Sequence, residues 1–385
     1  MSTTTLPTAD GGTADLQFGA PARLPLTATR AQSRRVVAAA HVVADPRLAC
    51  ASDGGTAIDW DATLRLRHRL FDLGLGVAEA MDTAQRGMGL SWASAHELAR
   101  RTLVEAQAVG GDVVVGIATD QLPPGPAGLD TIAGAYGEQL AAISALGGQP
   151  VVMASRHLAA AATGPDDYKA VYAKVLGGAE RPVVLHWLGT SFDPALAGYW
   201  GHDNPWRALD VVAEIMTEHA DRIDGIKVSL LDAELEAELR RRVPLTTRVY
   251  TGDDFHYVDT IVGDGDHHSH ALLGAFAAVP QFAAAAFARL DAGDVSGFRD
   301  LLGPTEHLSR LIFEAPTQYY KVGVAWLAHL CGHQDHLRML GGFETGRSLL
   351  HLAELVRAGD RIGLFPDPDL AAERVTRYFS AQGIR

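Results

Sequence analysis

Ile223-Asp-Gly-Ile-Lys-Val-Ser-Leu230 is the stretch from which the fold is read. In an extended segment, successive side chains point to opposite faces. One face then carries Gly225, Lys227 and Ser229, and the other Ile226, Val228 and Leu230. The apolar face is expected to pack on outer helices, which leaves Lys227 pointing into a barrel. A buried ammonium costs several kcal/mol unless it is paired or deprotonated. Burial lowers a lysine pKa, and the neutral amine attacks carbonyls. Arginine stays protonated and cannot do this. The chain favours arginine heavily and keeps only four lysines, Lys169, Lys174, Lys227 and Lys321. That usage suggests that the amine at 227 is needed as an amine. The competing reading is a lysine reaching out at a strand end or paired with an acid.

Working outward, seven more short apolar runs alternate with helical patterns. They are Val36–Val43, Val77–Met81, Val113–Ala118, Val151–Ala154, Val183–Leu188, Arg248–Thr251 and Ala271–Ala277. Eight strands with helices between them predict a closed (β/α)8 barrel. Asp59 is expected to cap the first barrel helix, which stops at Gly74. Trp206–Ala220 and Leu231–Val243 read as amphipathic helices. The domain reading is a flexible tail over 1–33, the barrel over 34–290 and a C-terminal helical segment over 291–385. In that segment, helices are expected at Val295–Leu302, Glu306–Phe313, Val322–Leu330, Arg347–Arg357 and Ala371–Phe379.

Composition narrows the function classes. The formal charge of −13 comes without a basic patch, which argues against nucleic acid as a partner. No apolar run approaches the roughly 20 residues of a membrane span, and the N-terminus lacks a secretory pattern. Cys50 and Cys331 stand far apart, so a disulfide framework is not expected and a cytoplasmic location fits. There is no P-loop, no dinucleotide fingerprint and no nucleophile elbow.

Several motifs in order along the chain resemble the dihydrodipicolinate synthase and N-acetylneuraminate lyase superfamily of class I aldolases. They are Ile58-Asp-Trp-Asp61, Pro182-Val-Val-Leu-His186, Gly225-Ile-Lys-Val-Ser229, Thr251-Gly-Asp-Asp254 and Ala315-Pro-Thr-Gln-Tyr-Tyr-Lys321. Ala78–Gly87, His186-Trp-Leu-Gly189 and Tyr319-Tyr-Lys-Val-Gly323 further resemble a bacterial dihydrodipicolinate-synthase-like family of unassigned function. The resemblance spans roughly residues 35 to 340. It implies the barrel, a helical C-terminal part, Lys227 as the Schiff-base former and a homo-oligomer. Three departures bear on substrate. The family's strand 5 tyrosine is His186 here, and an imidazole can also shuttle protons. The family's Thr-Thr-Gly carboxylate site becomes Asp82-Thr83-Ala84, and Asp82 would repel a carboxylate. The arginine of true dihydrodipicolinate synthases falls on Ser191. The last two changes argue against dihydrodipicolinate synthesis itself and favour a neutral, hydroxyl-rich carbonyl compound such as an oxo-sugar, with a 2-oxo acid as the other substrate class.

Barrel enzymes draw catalytic groups from strand C-terminal ends. His41, Glu79, Asp82, Gln85, Arg156, His186, Asp253 and Asp254 occupy such positions. In the first reading, Lys227 forms the imine without a cofactor, His186 moves protons and Thr83 assists. Asp82, Gln85, Glu79, Arg156, Ser229, Asp253, Asp254 and His41 then bind and position the small carbonyl substrate. In the second, Glu79, Asp82, His186 and Asp253 bind a divalent metal, as in a sugar isomerase or metal-dependent lyase. A third is a ligand-binding barrel without chemistry. The clusters Asp264-Gly-Asp-His-His-Ser-His270 and Cys331-Gly-His-Gln-Asp-His336 lack the usual zinc spacing.

Overall fold

The computed structural model describes residues 2–26, 29–48, 57–265 and 267–384. Cys50 and Asp266, which figure in the sequence motifs, lie outside the described residues. Ten strands are formed among the described residues. Two precede the barrel, β1 (Thr3–Pro7) and β2 (Thr13–Gln17). Eight follow: β3 (Val36–Ala39), β4 (Gly76–Glu79), β5 (Val113–Ile117), β6 (Gln149–Val152), β7 (Val183–Leu188), β8 (Ile223–Ser229), β9 (Arg248–Thr251) and β10 (His270–Leu273). These eight close into one parallel barrel in sequence order, with β10 pairing both β9 and β3. All eight barrel strands coincide with the runs read from the sequence. Several end before the run does, most of all β3 at Ala39 and β10 at Leu273, where a short helix over Ala275–Ala278 takes over.

Alternation along the strands sorts the core into two layers. Val37, Ala39, Ala78, Val114, Val151, Val184, Tyr250 and Leu272 form a cluster of their own inside the barrel. The intervening strand residues, among them Val77, Val115, Leu185 and Ile226, join the cluster shared with the outer helices. The N-terminal end of the barrel is plugged by polar groups. Arg35 bonds Asp112 at 2.9 Å, and the Tyr250 hydroxyl donates to Asp224 at 2.6 Å. Access to the interior is therefore from the C-terminal ends of the strands.

That end is also where the helices begin. Asp59, Ser91, Ser155, Asn204 and Asp232 each accept a helix N–H on their side chains, which satisfies donors that the first turn leaves free. The first barrel helix runs Trp60–Asp72 and leaves through Gly74 at φ 73°, a left-handed conformation that suits glycine. Two expected C-terminal helices, on either side of Gly303-Pro304, are one helix over Val295–Ile312. Pro304 supplies no N–H there, and the Thr305 hydroxyl donates to the Leu302 carbonyl at 2.6 Å.

The expectation of a loose N-terminal tail is corrected. β1 and β2 form an antiparallel hairpin seated on the C-terminal helices Leu349–Arg361 and Pro368–Ala381. Leu6 is fully buried, Phe18 meets the Phe365 ring edge-on at 5.6 Å, and Thr4 bonds Thr376 at 2.8 Å. The alternation is short and rich in Thr, so no strand pattern stood out; the apolar face exists only because the C-terminal helices cover it. Phe18→Ala is expected to lower the unfolding free energy by about 3–5 kcal/mol, the range for emptying a buried aromatic site. Urea denaturation of the full chain measures this, and a change below about 1 kcal/mol would show that the hairpin is not a packed part of the fold.

Candidate active site

Lys227 lies on the interior face of β8, in register with His186 on β7 and Tyr250 on β9. It is buried, and the loss of hydration pushes its pKa below the usual lysine value; the fields of Asp82 and Asp254 oppose that shift. Gly252, just past β9, makes room for it. A Cβ at that position would overlap the Ser229 hydroxyl and stand 2.7 Å from Lys227 Cε.

The two carboxylates arrive from different strands. Asp254 follows β9, and its Oδ1 accepts the Ala275 N–H at 2.9 Å. Burial pushes its pKa up to about 7, despite the opposing pull of that hydrogen bond and of Lys227. Asp82 opens the turn after β4. The chain reaches it through Ala80 at φ 55°, a conformation strained for a residue with a Cβ. One oxygen of Asp82, Oδ2, is buried without a hydrogen-bond partner. An unpaired buried acceptor is costly, so this one is a natural place for a ligand proton.

Thr83 is also brought in. Its hydroxyl bonds the Tyr320 hydroxyl at 2.8 Å. Tyr320 begins the helix Tyr320–Leu330 and stacks on Phe313 with ring centroids 4.4 Å apart. Burial raises its phenol pKa well above the usual value, and the fields of Asp82 and Asp254 add to that. Lys321, the next residue, is buried with Nζ 3.3 Å from the Met88 sulfur and 4.9 Å from the Tyr320 ring centre. Burial lowers its pKa to about 8, against the field of Asp82. Neither Tyr320 nor Lys321 was assigned to the site from the sequence, although Tyr319-Tyr-Lys321 stood among the motifs. Their helix is some ninety residues past Lys227, and no local pattern connects the two.

His186 is fully buried. Its Nε2 faces the Ser229 hydroxyl at 3.2 Å, and its Nδ1 has no partner. Burial, with Lys227 nearby, pushes its pKa well below the ordinary histidine value. The buried environment disfavours the charged form of the ring on which the expected proton movement through His186 would draw. His186 is a buried neighbour of Lys227 in strand register, with its one hydrogen bond to Ser229.

Four other expected site residues are committed elsewhere. Glu79 projects from the outer face of β4, where it takes a two-pronged bond from Arg67 at 2.8 and 2.9 Å and another from Thr102 at 2.6 Å. Gln85 spends its amide on the backbone of Met88 and Leu340, tying two loops together. Asp253 folds back on Phe255 N, His256 N and the His256 ring. His41 bonds Gln334 at 2.7 Å, with burial lowering its pKa to about 4. The suggested metal set of Glu79, Asp82, His186 and Asp253 is therefore not assembled, since Glu79 and His186 lie on opposite faces of the sheet. Among the described residues no group of three or more His, Cys, Asp or Glu side chains could hold a metal ion. Arg156 stands at the rim, where its Nε donates to Asp193 at 2.5 Å. A cavity of about 690 Å³ opens next to Asp82, lined in part by Asp82, Arg156, Met153 and Leu188.

The sequence profile of a family described as "Protein of unknown function (DUF993)" matches residues 4–384, and the chain belongs to that family. None of the curated proteins matches it. Solved structures share its fold. A prophage protein of the dihydrodipicolinic acid synthase family from E. coli, in complex with pyruvate, is 15% identical with a TM-score of 0.66, over 86% of this chain and 99% of that one. Dihydrodipicolinate synthase from Acinetobacter baumannii, complexed with pyruvate, is 16% identical with a TM-score of 0.63, over 87% and 100%. The enzyme from Oceanobacillus iheyensis is 15% identical with a TM-score of 0.61, over 86% and 97%. No helix among the described residues is long and apolar enough to cross a membrane.

Gly252→Ala tests the geometry around the lysine. The added methyl collides with the Lys227 side chain and the Val228 carbonyl, so turnover is expected to fall by roughly 100-fold or more, the cost of displacing a positioned group. Steady-state kinetics beside a melting curve reads this out. Unchanged activity in a folded variant would mean that Lys227 does not need its observed position.

Proposed function

We propose that this member of the family is a lyase of the class I aldolase type, in which Lys227 forms an imine with a carbonyl substrate. One observation carries the reading: a buried lysine on the interior face of β8 lies at the open end of the barrel within the fields of Asp82 and Asp254, and burial pushes the Asp254 pKa up to about 7. Two of the similar structures hold pyruvate, a 2-oxo acid, which supports a carbonyl ligand for this fold.

The steps follow from these groups. The neutral Lys227 amine adds to the substrate carbonyl. Asp254 gives its proton to the hydroxyl thus formed, water leaves, and an iminium remains. Asp82 then takes the proton from a hydroxyl β to the iminium carbon. The adjacent C–C bond breaks, and its electron pair flows into the iminium to give an enamine and a free aldehyde. Protonation and hydrolysis of the enamine release the second product and restore Lys227. The reverse sequence forms the bond. Tyr320 and Thr83 hold one another at the site's edge and present a hydroxyl pair to the substrate. Placing these donors in a dry site before reaction is what gives such groups their effect.

Borohydride reduction of the protein with carbonyl compounds is expected to leave a stable adduct, seen by intact mass, on the wild type and none on Lys227→Ala. Absence of any adduct across pyruvate, longer 2-oxo acids and oxo-sugars would sink the imine reading.

The pH profile has a defined sign. The neutral fraction of Lys227 grows with pH, whereas the acid form of Asp254 is lost as pH rises through about 7. Trapping is expected to peak near neutrality and fall on the alkaline side. Asp254→Asn should lower the rate by roughly 10²–10⁴ and remove the alkaline limb. The same variant should be more thermally stable at pH 8 than the wild type. A carboxyl whose folded-state pKa is raised withdraws stability as pH climbs from its unfolded value of about 4 to its folded value, and asparagine does not. A variant that is slow but no more stable at pH 8 would mean that Asp254 ionises freely in the folded protein.

A further inference from the structure

The 690 Å³ cavity falls within the range of about 300–1,000 Å³ typical of small-molecule sites. Its inner wall starts next to the chemistry. Leu188 is in register with Ser229, one interior step beyond the His186–Lys227 pair, or about 7 Å along the strand. Ala118 and Met153 line it as well and belong to the apolar cluster inside the barrel. Farther out the wall continues through Leu122, Ala154 and Ala161.

Apart from the outer amino groups of Arg156 at the rim, most side-chain polar groups of the lining are already hydrogen-bonded within the protein. The Thr119 hydroxyl bonds Ser155 at 2.6 Å and His157 Nδ1 at 3.0 Å. His157 Nε2 bonds the Pro123 carbonyl at 3.2 Å, and Ser155 also caps its helix by accepting the Leu158 N–H. Asp120 is held by Arg86 and by Gln139 at 3.0 Å, and Arg156 by Asp193. Asp82 Oδ2 is the one lining acceptor, among the described residues, that is buried without a partner. A polyhydroxylated chain entering here would give up its water and find few groups to replace it, at a cost for each hydroxyl. An apolar group would gain on transfer.

We infer that the substrate of this site carries a bulky apolar group, an arylalkyl or medium-length alkyl chain, on its carbonyl unit, with a single hydroxyl directed at Asp82. The cavity holds the apolar group while Lys227 holds the carbonyl carbon. This rests on the imine reading and replaces the oxo-sugar suggested by the sequence. A hydroxyl-rich ligand fits the acids around Lys227 but not the cavity beside it.

The test compares three probes at equal, limiting concentration: 2-oxo-4-phenylbutanoate, pyruvate and a six-carbon 3-deoxy-2-oxo-sugar acid. Borohydride trapping on the wild type is expected to run at least about tenfold faster with the phenyl compound, the effect of burying one or two methylenes' worth of apolar surface. Ala154→Trp, which fills the cavity, should cut that ratio to about unity; Ala161→Leu is the milder second variant, and a melting curve checks that each is folded. Calorimetric binding to Lys227→Ala, with no borohydride present, separates the two readings. Preferential binding of the phenyl compound there, with no adduct on wild type for any probe, keeps the cavity inference and discards the imine. Adducts that form as fast with pyruvate or the sugar acid as with the phenyl compound keep the imine and overturn the apolar substrate. A phenyl preference that neither cavity variant reduces also overturns it.

Discussion

Removing the Lys227 amine from water is the constraint around which the open end of the barrel is built. An isolated ammonium in such a place costs several kcal/mol, and a protein can answer by pairing the charge or by letting it go. This site does some of each. Asp82 and Asp254 are close enough to favour the charged amine, yet burial dominates and the pKa is lowered. Asp254 is affected in the opposite direction by the same dry surroundings and holds its proton up to about pH 7. A weakened base and a strengthened proton holder therefore share one pocket, which fits the nucleophile and acid roles proposed for them. His186 obeys the same rule: buried beside an amine, it stays neutral.

The barrel's alternation decides which charged groups take part. Arg67 and Glu79 form a complete, dry ion pair in the layer between sheet and helices, with both side chains fully buried. Ala78, one residue earlier, faces the interior. The same ladder of residues thus sends one ion pair to the frame outside the barrel and leaves the interior to Lys227 and its neighbours. The plug of Arg35, Asp112, Asp224 and Tyr250 closes one end with charges that satisfy one another, which leaves the unpaired acceptor of Asp82 at the other.

What the sequence revealed follows from the range of each signal. Strands announce themselves within a few residues, so all eight barrel strands and the inward aim of Lys227 were legible from the period of two. Asp59 and Gly74 were legible as caps for the same reason. Glu79 was misplaced because its position at a strand end was weighed without its parity. Asp253 and Asp254 are neighbours of identical type; only the contacts of the folded chain show that Asp253 closes a turn and Asp254 faces the amine. Tyr320 and the hairpin of residues 3–17 are long-range features. Their apolar partners, Phe313 and Phe365, are not near them in any pattern that a window along the chain can see.

These long-range features also make the C-terminal segment part of the site. The Tyr320–Leu330 helix delivers Tyr320 to Thr83 and Lys321 to the neighbourhood of Asp82. The loop after it bonds His41 through Gln334 and Gln85 through the Leu340 backbone, so two residues expected to bind substrate instead anchor the segment to the barrel mouth. Trp326 on that helix bonds the Leu352 carbonyl at 3.1 Å, in the helix on which the N-terminal hairpin rests. A chain of contacts thus runs from the first strand of the protein to the hydroxyl beside the reaction centre. Residues positioned this way tolerate little displacement, because a shift of about 1 Å in a catalytic group is enough to cost 100-fold in rate. The hairpin thus packs on the helix whose Leu352 carbonyl accepts from Trp326, on the same helix as Tyr320.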